Sequence, residues 1–90
     1  MNLKGIHLTW LGHASFRIET PAGKTIYVDP WVMGNPMCPE HEKTVAKADA
    51  LFCTHGHQDH IGDAVTITKQ HQPVIVGIYE LCAWLQKKGA

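Results

Sequence analysis

The sequence predicts an α/β fold on a mixed sheet that begins antiparallel and continues as a βαβ unit. Three observations lead there. Apolar and polar residues alternate through positions 6 to 28, a Pro-Ala-Gly-Lys turn divides that stretch, and from Ala50 the rhythm becomes strand, loop, helix, strand, helix. Ninety residues can bury only a modest core, about 60–70% of the surface of the unfolded chain, so one domain or less is expected.

Ile6, Leu8 and Trp10 alternate with His7 and Thr9, which predicts a half-buried strand over residues 6 to 11 with Trp10 in the core. Phe16 and Ile18 alternate with Arg17 and Glu19 in a second strand. Pro21-Ala22-Gly23-Lys24 then turns the chain into Thr25-Ile26-Tyr27-Val28, an antiparallel hairpin. Residues 30 to 39 carry Pro30, Gly34, Pro36 and Pro39 and read as a loop, and residues 42 to 47 as a short helix. Ala50-Leu51-Phe52-Cys53-Thr54 reads as a buried strand. Asp63 supplies an acceptor to cap a helix that presents Ala64, Ile67 and Thr68 at helical spacing. Val74-Ile75-Val76 is a further strand. A last helix over residues 79 to 88 places Leu81, Trp84 and Leu85 on a core face, with Gly89 at its C-cap and Lys87 and Lys88 suited to its negative end.

Charge and composition narrow the function classes. Lys plus Arg equals Asp plus Glu at 8 each, so no basic stripe is present to neutralise phosphates, and nucleic acid is not an expected partner. No apolar run approaches the roughly 20 residues that span a bilayer, and Met1-Asn2-Leu3-Lys4-Gly5 has no signal-peptide core, so no membrane association and a cytoplasmic location are expected. Cys38, Cys53 and Cys82 are an odd, scattered set without a disulfide framework, in keeping with a reducing compartment. Cys38-Pro39-Glu40-His41 has a metal-like spacing, but its isolation in a Pro-rich loop reads as a solvated turn.

The chemistry concentrates in His55-Gly56-His57-Gln58-Asp59-His60, directly after the buried strand. Random placement of the 7 His and 4 Asp would yield this set about twice in 100,000 starting positions, so chance does not explain it. Imidazoles and a carboxylate suit a borderline-soft divalent cation such as zinc, held at roughly 2.0–2.2 Å. His55 and His57 alternate around one residue and can share an ion. Asp59 and His60 follow a turn without β-branched residues and can swing toward a second, neighbouring position. Asp29 closes a strand ahead of a proline that holds the chain extended, and so can point back toward the site. His13, after Gly12 at the end of the first strand, either lines the mouth of the site or is a locally satisfied loop histidine. His7, His41 and His71 read as solvated. Trp31, in the loop after Asp29, is a conceivable substrate wall.

The His-x-His-x-Asp-His run resembles the metallo-β-lactamase superfamily. Thr9-Trp10-Leu11-Gly12-His13-Ala14-Ser15-Phe16, followed by Val28-Asp29-Pro30, is similar to its branch of metal-dependent hydrolases near the ascorbate-phosphate lactonases. The resemblance implies an αββα sandwich, of which residues 1 to 90 are the N-terminal portion. It further implies one metal on His55 and His57, a second on Asp59 and His60, and a hydrogen bond from a ligand histidine to Asp29. The cofactor implied is Zn2+, two ions in the complete domain, with Mn2+ or Fe2+ as alternatives. The reaction implied is hydrolysis of a small ester, lactone or phosphodiester by a metal-bound hydroxide that Asp59 orients. The superfamily draws further ligands from well beyond His60, where the one remaining histidine is His71. The 90 residues are therefore expected to be inactive alone and to self-associate through an uncovered sheet. Two other readings are a zinc-binding half-domain without turnover and an iron-dependent oxidoreductase of the same fold.

Overall fold

Strand pairing generates the architecture. The computed structural model of the chain describes residues 2–54 and 56–88, apart from the side chains of Asn2, Leu3, Gln58 and Asp59. Six strands form one sheet in chain order: β1 (Asn2–Leu3), β2 (Ile6–Gly12), β3 (Ser15–Glu19), β4 (Thr25–Val28), β5 (Ala50–Phe52) and β6 (Val74–Val76). β1 to β4 pair antiparallel, while β4–β5 and β5–β6 are parallel, so the sheet is mixed as the sequence predicts. Among the described residues α1 (Gln58–Ile61) begins within the motif, and α2 (Ala64–His71) and α3 (Tyr79–Lys87) follow it. No helix among the described residues is long and apolar enough to cross a membrane.

The register sorts the sheet into two unlike faces. On one, Thr9, Arg17, Tyr27, Leu51 and Ile75 lie side by side. This face is covered: Tyr27 and Leu51 pack with Ala64 and Ile67 of α2, Leu81 and Leu85 of α3, and Val32 and Cys38 of the long loop. On the other, Trp10, Phe16, Val28, Phe52 and Val76 form one rung, and Leu8, Ile18, Ile26, Ala50 and Val74 the next. No described helix packs over these rungs, and Trp10 is 53% exposed rather than in the core. Alternation in the sequence correctly separates the faces, but Trp10 falls on the one without a helical layer.

Trp84 also departs from its expected core position. Leu81 and Leu85 supply the buried stripe of α3, while Trp84 stands at its margin, 42% exposed, with Lys88 Nζ 5.7 Å from its ring. The helix expected over residues 42 to 47 is replaced by a single 3-10 turn, Glu40–Glu42. β-Branched Thr44 and Val45 disfavour helix there, and Glu42 is engaged elsewhere, its carboxylate accepting two bonds from the Arg17 guanidinium at 2.5 and 3.2 Å. Gly89 lies outside the described residues.

The Arg17–Glu42 pair fastens the 3-10 turn to the sheet and makes stability acid-sensitive. The hydrogen bond from Arg17 outweighs burial and holds the Glu42 carboxyl below its ordinary value. A carboxyl lowered in the folded state stabilises fully above its unfolded pKa, about 4.3, and loses that contribution as pH falls through the folded value. Arg17→Ala is expected to lower unfolding free energy by about 1 kcal/mol at neutral pH. Urea melts of parent and variant should converge as the medium is acidified past that window.

Candidate metal centre

The motif loop sits beyond the carboxyl ends of β4 and β5, the side of a parallel sheet on which ligands bind in open α/β folds. The two strand ends are braced against each other. Asp29 N–H donates to Phe52 O at 2.8 Å, and Thr54 returns two bonds to the Asp29 carboxylate, N–H to Oδ1 at 2.7 Å and Oγ1 to Oδ2 at 2.6 Å. Asp29 is 3% exposed. Burial pushes its carboxyl up, but the bonds from Thr54 and then His60 outweigh this and hold it below the usual value. An ionised carboxylate with these partners is a built acceptor.

His60 is the ligand-type residue that Asp29 touches, with Nδ1 2.8 Å from Oδ2. The carboxylate only accepts, so Nδ1 carries the proton and the neutral ring's lone pair is on Nε2. This carboxylate–histidine arrangement is the one metal-binding imidazoles require for orientation. α1 holds His60 in place: its N–H, like that of Ile61, donates to His57 O, at 2.9 and 3.1 Å. His57 is the N-cap of that turn and is exposed. His55 and the side chain of Asp59 lie outside the described residues. Among the described residues no group of three or more His, Cys, Asp and Glu forms a metal cage, two of the four motif side chains being outside that set. The donors present fit a divalent cation in kind: nitrogen ligands, one already oriented through its other nitrogen.

His13 also packs against the His60 imidazole. Its ring centre is 5.2 Å from that of His60 and 5.7 Å from that of Trp31, edge-on to both. The β2–β3 turn that carries it is tightly specified. Gly12 has φ +106°, and a Cβ there would lie 2.7 Å from Met37 Cβ. His13 itself has φ +54°, and its carbonyl accepts from the Trp10 indole at 2.9 Å. Asp29 is also left-handed, φ +47°, rather than extended as its following proline suggests. Backbone held in such regions must be fixed by its surroundings. Ser15, fully buried, does this for Asp29: its Oγ donates to Asp29 O at 2.6 Å and accepts from Trp31 N–H at 2.9 Å.

Two supporting residues, Thr54 and Ser15, had no role assigned from sequence, and a third, Asp63, does not play the capping role expected of it. Asp63 stands at the N-cap of α2 but makes no capping bond with its side chain. Its carboxylate instead accepts from the N–H groups of Val32 and Met33, at 2.5 and 3.1 Å, tying the long loop to the helix that follows the motif. Position next to the motif was the only signal for Thr54, and membership of the Gly-His-Ala-Ser block the only one for Ser15. His71, expected to be solvated, is half-buried, and its Nε2–H donates to Val45 O at 3.0 Å. His41 is exposed with Nε2 3.8 Å from Glu42 Oε2, while the Cys38 thiol contacts Pro39 O.

Comparison with known proteins places this arrangement. The profile of the family described as β-lactamase superfamily domain matches residues 7–80. The chain belongs to the β-lactamase superfamily. A UPF0173 metal-dependent hydrolase of Koribacter versatilis is 63% identical over 89 residues, which are 99% of this chain and 38% of that protein. A second protein of that description, from Herpetosiphon aurantiacus, is 49% identical over 83 residues, 91% of this chain and 34% of the relative. The solved structure of Igni18, a metallo hydrolase from Ignicoccus hospitalis, superposes with a TM-score of 0.78 at 34% identity, covering 93% of this chain and 36% of that one. The chain thus spans little more than a third of the length of the relatives it matches. Its fold is the N-terminal portion of the superfamily's αββα sandwich, one sheet with helices on one side.

Proposed function

We propose that the protein is a metal-dependent hydrolase whose ions are held by His55, His57, Asp59 and His60. The observation that carries this reading is the buried Asp29 carboxylate fixing His60 Nδ1 at the mouth of two parallel strands. A residue that costs desolvation and left-handed backbone strain to place, and whose partner is a motif histidine, is explained by ligand orientation. Zinc is the proposed ion, two in a complete site. When bound, it supplies Lewis acidity and lowers the pKa of a coordinated water toward about 7. The chain's own contributions are distinct. His57 and His60 bind through imidazole nitrogen, Asp29 and Thr54 lock the His60 tautomer, and His13 and Trp31 wall the approach to His60. An open cleft of ≈ 420 Å³ borders the ligand loop at Gly56 and Ile61 and is lined further by Ile78, Glu80, Leu81 and Trp84.

The substrate class proposed is a small ester, lactone or phosphodiester. A chimera carrying residues 2 to 88 of this chain in place of the matched region of the Koribacter relative tests the reading. It should hydrolyse one of these classes, lose activity to a chelator and regain it with zinc, and lose it with His60→Ala. A folded, metal-loaded chimera inactive on all three, beside a relative active on one of them, would contradict it. For the 90 residues by themselves we propose metal binding without turnover, since the superfamily pattern draws further ligands from outside this stretch.

A further inference from the structure

We propose that His13 is a positioning residue: its ring sets the plane of the His60 imidazole, while Asp29 sets its tautomer. The inference deepens the metal reading and rests on His60 being a ligand. The His13 ring centre lies 5.2 Å from that of His60 with the planes at 69°, and 5.7 Å from that of Trp31 with the planes at 89°. Both distances fall in the range of roughly 4.5–7 Å over which edge-on ring pairs attract. Asp29 alone does not orient the ring. Its Oδ2 holds His60 Nδ1 at 2.8 Å, but hydrogen-bond directions at a carboxylate oxygen are broad, so the ring plane is free to tilt about that bond. The lone pair of Nε2 lies in the ring plane, and tilt turns it away from an ion. A second contact, made to the ring itself, removes that freedom.

A positioning group must itself be held, and the turn that carries His13 is held at several points. The Trp10 indole N–H donates to His13 O at 2.9 Å. Gly12, at φ +106°, leaves no room for a Cβ beside Met37 and Asn35. Asn35 is 1% exposed; its Nδ2–H donates to Trp31 O at 3.0 Å and its Oδ1 accepts from Met37 N–H at 2.9 Å. Ser15 Oγ accepts from Trp31 N–H at 2.9 Å. The backbone beneath both the His13 and the Trp31 rings is therefore fixed. The conformation of His13 adds an independent argument. Glycine and asparagine adopt a φ near its +54° at less cost than an imidazole residue, so the turn alone does not call for histidine. His13 is also exposed, so burial of its side chain does not repay the strain. What its ring touches accounts for an imidazole at this position.

Nitrogen-15 NMR of the imidazoles in the metal-free 90-residue chain, paired with zinc titration by calorimetry at the same fixed pH, tests the proposal. The parent should show a sharp, hydrogen-bonded Nδ1–H resonance for His60. His13→Asn keeps a residue suited to the left-handed backbone and removes the ring. It should broaden that resonance and weaken zinc binding about 10-fold, with circular dichroism retained. His13→Phe restores a ring without its nitrogens and should recover both readouts. His7→Asn, on the exposed part of β2, should move neither. His13→Gly, which also accepts the positive φ, takes the place of the asparagine variant if that one does not fold. A folded ring-less variant with the His60 resonance and zinc affinity of the parent would overturn the proposal, as would a folded phenylalanine variant as impaired as the asparagine one. Zinc affinity lost with the resonance intact would make His13 act on the ion directly and also overturn it. A parent that takes up no zinc would instead count against the metal reading, and the Nδ1–H resonance then decides the role of His13.

Discussion

Replacing Asp29 by asparagine is expected to weaken metal binding about 10- to 100-fold while leaving the fold intact. Asparagine tolerates the left-handed backbone at this position, φ +47°, and keeps one carbonyl oxygen to accept from Thr54. What it loses is the charge and the second acceptor, so that His60 Nδ1–H, 2.8 Å from Oδ2, no longer has a carboxylate to hold its tautomer. Asp29→Ala goes further. It leaves the Thr54 N–H, the Thr54 hydroxyl and the imidazole without the acceptor they share, at a stability cost of about 2–3 kcal/mol. Zinc titration by calorimetry, with urea melts of the metal-free proteins, separates the effects. The asparagine variant should lose affinity alone, and the alanine variant both affinity and stability.

Gly12→Ala is expected to be the most destabilising single methyl addition in the site's framework. The new Cβ would lie 2.7 Å from Met37 Cβ, 2.9 Å from Asn35 Nδ2 and 3.0 Å from Met37 backbone carbon, on a φ of +106°. Backbone strain and overpacking each cost about 1–3 kcal/mol, and roughly 3 kcal/mol together is a large part of the 5–15 kcal/mol typical of domains. For a chain of this size that corresponds to a fall of roughly 12–24 °C in Tm. Gly23→Ala is the informative control, since its φ is similarly positive, +84°, but nothing lies within 4 Å of the added methyl. A Gly12 variant melting with the Gly23 variant would show that loop 35 to 37 does not clamp the turn.

Local pattern made much of this molecule legible. Alternation located β2, β3 and β4, the Pro-Ala-Gly-Lys turn made their hairpin, and the run from Ala50 gave the parallel β5–β6 unit with α2 between, whereas α1 falls inside the stretch read as a loop. The six-residue motif marks the candidate site because its residue types are rare in combination. What the sequence did not carry were long-range partners. Asp63 has the chemistry of a helix cap, yet its acceptors serve Val32 and Met33, some thirty positions earlier. His71 looks solvated until Val45 O is brought to it by folding. Trp10 has the alternation of a core residue, and only the placement of the helices on the opposite face reveals it as exposed. Periodicity distinguishes two faces of a strand but does not say which receives a second layer.

Metal content decides the central claim. Elemental analysis of the purified chain after exposure to zinc, beside a His55→Ala, His57→Ala double variant, is the direct measurement. About one equivalent or more of zinc in the parent, lost from the double variant, is the predicted result. Iron retained in preference to zinc from a balanced mixture would move the protein to the oxidoreductase reading. A soluble, folded parent that retains no metal would contradict the claim that these residues hold an ion.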